Sequence, residues 1–229
     1  GIHFKASTGE VLYEEPPHSA VHATAEFLTG LHLQHFEHWL LRWLYVFGGL
    51  TGCVCIATGF IFFVEKRKQQ HAAQGRQGSR LVDAFAVTTV TGMVIAAIGM
   101  LVTNRLLPAG MEGKGDIERM AFWGIWLLAL LHALWRSHAV LQLRPNPAWR
   151  EQGWVIAALA VTAVLLNAIT TGDHLLKTMI TDTYWAVAGV DLSLLVTAGI
   201  AAWAARQLGK REKGAALAAA TDMEGMSRD

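Results

Sequence analysis

The sequence predicts an all-α integral membrane protein: a bundle of five transmembrane helices with a short extramembrane segment before it. Of the 229 residues, 53% are hydrophobic and only 16% are charged, whereas a soluble domain has about 25% charged residues. The apolar residues form blocks of about 20, which is the length of helix that crosses a bilayer. The net charge of +1 gives no electrostatic basis for nucleic-acid binding. The lipid bilayer is therefore the first predicted partner.

Five apolar blocks define the predicted helices, at residues 39–64, 81–103, 119–136, 153–172 and 184–205. Polar or proline-containing segments separate them. We assign residues 1–28 to an extramembrane segment, 29–209 to the transmembrane bundle and 210–229 to a polar tail, which we expect to be frayed.

The N-terminal segment predicts a strand, a turn and a second strand around Thr8-Gly9. Pro16-Pro17 interrupts regular structure, and a helix is expected from about residue 25. The chain opens at Gly1 without a signal peptide or a first membrane segment. We therefore expect that an upstream part of the protein precedes it.

Positive charge predicts the orientation. Lysine and arginine are concentrated in the loops at 65–80 and 137–152 and in the tail, and short loops rich in these residues remain cytoplasmic. The N-terminus of this chain is thus predicted outside the membrane and the C-terminus in the cytoplasm.

One histidine, His132, lies about a turn inside the far end of the third block. An ionisable side chain at that depth is costly, so the first interpretation is functional. Arg136 follows one helical turn later. The alternative is a hydrogen-bonded core histidine without a ligand.

The depths of the histidines are typical of a b-type haem protein, in which neutral imidazole is an axial ligand. One haem is predicted outside, bound by His174 and one histidine of the cluster His32, His35 and His38. A second is predicted inside, with His132 as iron ligand and Arg136 as a propionate partner. The sequence contains no CxxCH for covalent attachment.

The inner haem lacks a second ligand in this chain. His138 follows His132 by six residues on a different helix face, and His71 lies in a polar segment. The missing ligand lies in upstream sequence, or the iron is five-coordinate, or there is no inner haem. Among the outer candidates, helix phase favours His38, which falls on the Gly48/Gly52 face of the first block.

Further polar and small residues mark the other helices. Asn167, Thr171 and His174 form one stripe on the fourth block, and Asp191 lies about two turns inside the fifth. They form interhelical hydrogen bonds or a path for protons or ions. Asp191 pairs with a neighbour or orients a histidine ring. The small residues of the second block, Thr88, Gly92, Ala96 and Gly99, pack against another helix or against a flat cofactor.

Several of these residues resemble one known family. The first matching stretch is LHLQHFEHWLLRWLYVFGGLTGCVCIATGFIFFV at 31–64, through Leu31-His32, Arg42, Tyr45, Gly49-Leu50 and Thr58-Gly59. The second, at 104–136, contains NRLLP followed by Glu118, Phe122, Trp126, His132 and Arg136. With STGEVL at 7–12, these stretches are similar to the PepSY-associated transmembrane family.

The resemblance implies more than the residues do by themselves. The family includes iron-regulated inner-membrane proteins and ferric-siderophore reductases that carry two haems. It implies a bacterial inner-membrane location and a tail of a periplasmic α+β PepSY-like domain at residues 1–28. It also implies electron transfer by two haem b groups to a ferric siderophore or other iron chelate, and it favours His32 as the outer ligand.

Some assignments remain open. Because no flavin or nicotinamide fingerprint is present, the electron donor is a quinol or another protein, and no catalytic residue is assigned. The alternatives are a non-enzymatic PepSY-type membrane subunit and a proton-coupled transporter.

Overall fold

The computed structural model describes residues 2–14, 19–33, 38–74, 80–137, 146–172, 174–175, 177–181 and 185–226. The chain divides into two compact units, Gly1–Ile56 and Ala57–Asp229. The boundary falls inside one long helix, and each unit is described by itself.

The first unit begins with a β-hairpin. Strands β1 (Ile2–Phe4) and β2 (Val11–Glu14) pair antiparallel, with His3 opposite Tyr13. Gly9 has a φ of 72° in the turn between them, a conformation that glycine adopts without strain. The predicted strand, turn and strand are confirmed.

Two helices follow the hairpin, α1 (Ala20–Leu33) and the start of α2 (Trp39–Ala73). Helix α1 begins five residues earlier than predicted. The Ser19 hydroxyl accepts a hydrogen bond from the His22 amide, which is the usual interaction of a serine N-cap.

Within the described residues, five helices are long and apolar enough to cross a membrane: Trp39–His71, Arg80–Leu106, Lys114–Arg136, Ala148–Thr171 and Trp185–Gly214. Each overlaps one of the five predicted blocks and differs from it by one or more residues at one end or at both. The predicted fold class, an all-α membrane bundle, is therefore confirmed.

The second unit contains most of this bundle. After the end of α2 come α3 (Arg80–Val87), a π-helical turn (Thr88–Gly92), α4 (Met93–Leu106), α5 (Lys114–Arg136) and α6 (Ala148–Thr171). A second π-helical turn (Lys177–Thr181) precedes α7 (Trp185–Met226). Helix α4 packs on both α5 and α6, and α6 also packs on α7.

The core between α4, α6 and α7 consists of isoleucine, leucine and alanine side chains: Ile95, Ile98, Ile156, Ala157, Ala160, Ala163, Leu194 and Ala198. The many alanines let the helices approach closely, as is common in membrane bundles.

The small-residue stripe of the second block packs against α5. A Cβ atom at Gly92 would lie 3.2 Å from the Cβ of Ala129, and one at Gly99 would lie 2.6 Å from Cδ1 of Ile125. Close helix packing, the first of the two interpretations, is therefore what these two glycines permit.

Other helix ends also differ from the predictions. Helix α6 begins at Ala148 and not at residue 153, so Glu151 and Gln152 lie in a helix and not in a loop. Helix α2 continues through the charged residues 65–73. Helix α7 continues to Met226, so the prediction of a frayed tail is wrong.

Candidate functional site

The five predicted haem-site residues lie in different parts of the fold. His132 and Arg136 lie in the last two turns of α5. His174 is exposed and follows the end of α6, with its Nδ1 accepting a hydrogen bond from the Lys177 amide at 3.2 Å. His32 lies in α1, and His38 is exposed immediately before α2. His35 and His138 lie outside the described residues.

His132 and His174 lie at opposite ends of helix α6. His132 contacts Glu151 in the first turn of α6, whereas His174 follows Thr171, the last residue of that helix. The 20 residues from Glu151 to Thr171 rise roughly 30 Å at 1.5 Å per residue. This is about the thickness of the hydrocarbon layer.

His132 and Arg136 both contact one carboxylate. Nε2 of His132 lies 3.1 Å from Oε2 of Glu151, and Nη2 of Arg136 donates to Oε1 of Glu151 at 2.7 Å. All three side chains are about two-thirds buried. The positive charge of Arg136 therefore balances the carboxylate, and His132 binds the carboxylate's second oxygen.

The other ring nitrogen of His132 faces Gln152, which is 2% exposed. Nε2 of Gln152 lies 3.4 Å from Nδ1 of His132 and donates to the carbonyl oxygen of Ala129 at 2.9 Å. The Thr91 hydroxyl lies 2.6 Å from Oε1 of Gln152 and 2.8 Å from the carbonyl oxygen of Val87. Thr91 belongs to the π-helical turn, a feature that often occurs at functional sites.

These contacts determine the tautomer of neutral His132. The carbonyl of Ala129 can only accept, so the amide nitrogen of Gln152 must face it, and that nitrogen can only donate to Nδ1. Nδ1 is then the unprotonated nitrogen. The Glu151 carboxylate, also an acceptor, independently requires the proton on Nε2. Both neighbours thus select the same tautomer, with hydrogen on Nε2.

A second polar group lies toward the other end of the bundle. The amide nitrogen of Asn167 on α6 lies 3.2 and 3.4 Å from the two carboxylate oxygens of Asp191 on α7, and Asp191 is 3% exposed. The predicted pairing of Asp191 with a neighbour is therefore observed. Thr171, in contrast, donates to the carbonyl of Asn167 within its own helix.

The Asp191–Asn167 pair lines a cavity of about 270 Å³. Asn104 and Arg105 of α4 add further polar groups to its wall, and Leu101 and Leu194 are among the apolar ones. The cavity therefore combines a buried carboxylate with a mostly hydrophobic lining.

A buried polar cluster joins four chain segments at the His132 end. Nζ of Lys68 lies 2.7 Å from Oδ1 of Asp83, and the amide nitrogen of Asn146 donates to Oδ2 of Asp83 and to the Ser137 hydroxyl, each at 2.8 Å. The Oδ1 atom of Asn146 accepts from the Ala148 amide at 3.0 Å. The cluster connects the end of α2 with α3, α5 and α6.

Sequence reasoning missed Glu151, Gln152 and Thr91 as neighbours of His132. The signal for the first two was Pro147 followed by a glutamate, a pattern that favours the first turn of a helix. Thr91 gave no comparable signal, because nothing in its sequence predicts a π-helical turn.

The model of the PepSY-associated TM region matches residues 6–66, so the resemblance predicted from 7–12 and 31–64 is confirmed. The second predicted stretch, 104–136, lies beyond the match. No curated protein and no solved structure matches the chain.

Proposed function

We propose, from the premise that residues 6–66 form a PepSY-associated TM region, that this chain is the membrane part of a haem-dependent oxidoreductase. It passes electrons across the bacterial inner membrane to a periplasmic acceptor, a ferric siderophore or another iron chelate, for iron uptake. The donor is a quinol or a protein on the other side, with the N-terminus of this chain periplasmic and the C-terminus cytoplasmic.

The observation that carries the proposal is the family match at residues 6–66, and the histidines near the two ends of α6 mark the two sides between which an electron would pass. His132 and His174 lie roughly 30 Å apart along α6, with the isoleucine, leucine and alanine core between these ends. A proton crossing this distance needs a chain of polar groups, whereas an electron passing between haems does not. Two haem b groups are therefore the proposed carriers.

Reduction is a chemically sufficient way to release the metal. Hard oxygen ligands bind Fe(III) more strongly than Fe(II), because Fe(II) has a lower charge and is softer. A single electron delivered to the chelate thus weakens binding without any bond cleavage in the chelator.

Haem does not fit His132 or His174 with the hydrogen bonds described. The Nδ1 lone pair of His132 faces the Gln152 amide, and its Nε2 carries the proton bound by Glu151. At His174 the Lys177 amide occupies Nδ1, so the neutral ring has its proton on Nε2. Iron ligation at either residue requires one of these hydrogen bonds or protons to be given up.

Arg136 fits a haem propionate better than the histidines fit iron. Its Nε atom is buried and has no hydrogen-bond partner within the described part of the chain. Buried donors are normally paired, and a carboxylate of a ligand could accept this hydrogen bond.

The test is a reduced-minus-oxidised spectrum of the full-length protein in detergent, with a haem count per chain. We expect b-type bands and two haems. A protein expressed with ample haem that shows no Soret band refutes electron transfer by haem and favours the non-enzymatic PepSY-type subunit. Replacing His32, His38, His132 and His174 singly by glutamine then shows which residues hold each haem.

A second candidate function, a proton-coupled transporter, is favoured by the buried carboxylate at the cavity. An ionisable side chain buried at such depth has a high free-energy cost and is usually functional, and the observed partner of Asp191 is the neutral amide of Asn167. This function predicts that Asp191→Asn abolishes uptake and leaves the haem content unchanged. Ser193→Ala, an exposed change on the same helix, is the matched control.

A further inference from the structure

We infer that Gln152 fixes the orientation of the His132 ring, and that His132 is not an iron ligand. The second clause rests on the proposed haem function and narrows its set of ligands. The first clause concerns the hydrogen bonds alone. We use the word junction for the hydrogen-bonded group of His132, Glu151, Gln152 and Thr91, which joins α5, α6 and the π-helical turn.

The junction starts at the π-helical turn. Gly92, its last residue, leaves no room for a Cβ, which would lie 2.9 Å from Cγ2 of Thr88 and 3.2 Å from Cβ of Ala129. The turn therefore lies directly against α5 at Ala129. The carbonyl of that same residue binds Gln152.

The side-chain amide of Gln152 fixes the orientation and the tautomer of the His132 ring. Its amide cannot rotate by 180°, because its oxygen would then face the carbonyl oxygen of Ala129, now 2.9 Å from the amide nitrogen. On the other side, the amide oxygen lies 2.6 Å from the Thr91 hydroxyl, whose single hydrogen is shared between this oxygen and the Val87 carbonyl. With the amide fixed, Nδ1 of His132 must accept, and the ring proton stays on Nε2.

Iron would reverse this arrangement. A neutral imidazole bound to iron through Nε2 carries its proton on Nδ1, and that N–H would point at the donating nitrogen of Gln152, 3.4 Å away. Iron would also displace Glu151 from Nε2. Two hydrogen bonds would be lost and one donor–donor contact would form, so we assign the axial ligands to other histidines.

The junction has a structural use. Helix α5 packs mainly on α4 and helix α6 mainly on α7, whereas α5 and α6 pack little on one another. The His132–Glu151, Arg136–Glu151 and Gln152–Ala129 hydrogen bonds link α5 and α6 directly. Loss of the junction should therefore loosen this end of the bundle without emptying a haem site.

The first test measures the tautomer directly. Nitrogen-15 NMR of the histidine-labelled full chain in detergent, with His132→Gln to assign the signal, should show hydrogen on Nε2 of His132 and none on Nδ1. Hydrogen on Nδ1 overturns the inference. This measurement holds whether or not the protein contains haem.

The second test measures haem. If the wild-type protein binds haem, His132→Gln should retain the wild-type haem count and band positions, because the glutamine amide can still donate to Glu151 and accept from Gln152. The exposed change His22→Gln on α1 is the matched control. Loss of one haem in His132→Gln alone overturns the inference, whereas a colourless wild-type protein refutes only the proposed haem function.

Discussion

Asn146 offers the sharpest test of what holds the His132 end of the bundle together. Asn146 is 1% exposed and donates to the Asp83 carboxylate at 2.8 Å. It also accepts from the amide of Ala148, the first residue of α6. We expect Asn146→Ala to lower the free energy of unfolding substantially.

The magnitude follows from the hydrogen bonds removed. A hydrogen bond to a charged group contributes about 1.5–3 kcal/mol, and one to a neutral amide about 1 kcal/mol. Lys68 still binds Asp83 in the variant, so the carboxylate keeps one partner. The expected loss of stability is therefore about 3 kcal/mol.

Reversible unfolding of the purified protein in mixed detergent micelles, followed by circular dichroism, measures this change. The matched control is Thr162→Ala, because Thr162 is exposed and donates to a carbonyl of its own helix; it should change stability by less than about 0.5 kcal/mol. A loss for Asn146→Ala no larger than that of the control would refute the reasoning. A double-mutant cycle with Asp83→Asn should also give a coupling energy above about 0.5 kcal/mol.

Four further substitutions test packing and charge in the same assay. Gly92→Val should cost about 1–3 kcal/mol by overpacking the contact with α5. Gly153→Val should do the same against α7, whereas Gly189→Val, with nothing within 4 Å, should cost clearly less than either; equal losses in all three would contradict the packing argument. Lys68→Met should cost about 3–5 kcal/mol by leaving the Asp83 carboxylate buried without its cation, and a neutral result would show that this ion pair contributes nothing.

The sequence was sufficient to predict the number of spans because a helix crossing a bilayer needs a long apolar block, and each block is visible by itself. The helix ends were less predictable. Residues 150–152 are polar and were predicted to lie in a loop, yet Glu151 and Gln152 bind groups on the neighbouring helix α5. A polar residue at a helix end is stable when its partner comes from elsewhere in the fold, and that partner cannot be read from local sequence.

The candidate site was predictable only in part for the same reason. His132 was identified because the free-energy cost of an ionisable side chain within a membrane helix can be judged from the sequence of that helix alone. Its neighbours follow it by 19 and 20 residues, across residues 138–145 that lie outside the described structure. The pairing of Asp191 with Asn167 was one of several options in the sequence, because the relative rotation of α6 and α7 depends on the packing of their alanines.

Helix α7 is longer than a membrane crossing requires. Its 42 residues correspond to roughly 63 Å at 1.5 Å per residue, about twice the hydrocarbon thickness. An ion pair between Arg150 and Glu212 holds it against α6 as far as Glu212, and the helix continues from there to Met226. The 14 residues from Glu212 to Met226 therefore add roughly 20 Å of helix beyond this ion pair, so the far end of α7 is set by the stiffness of the helix rather than by the Arg150–Glu212 contact.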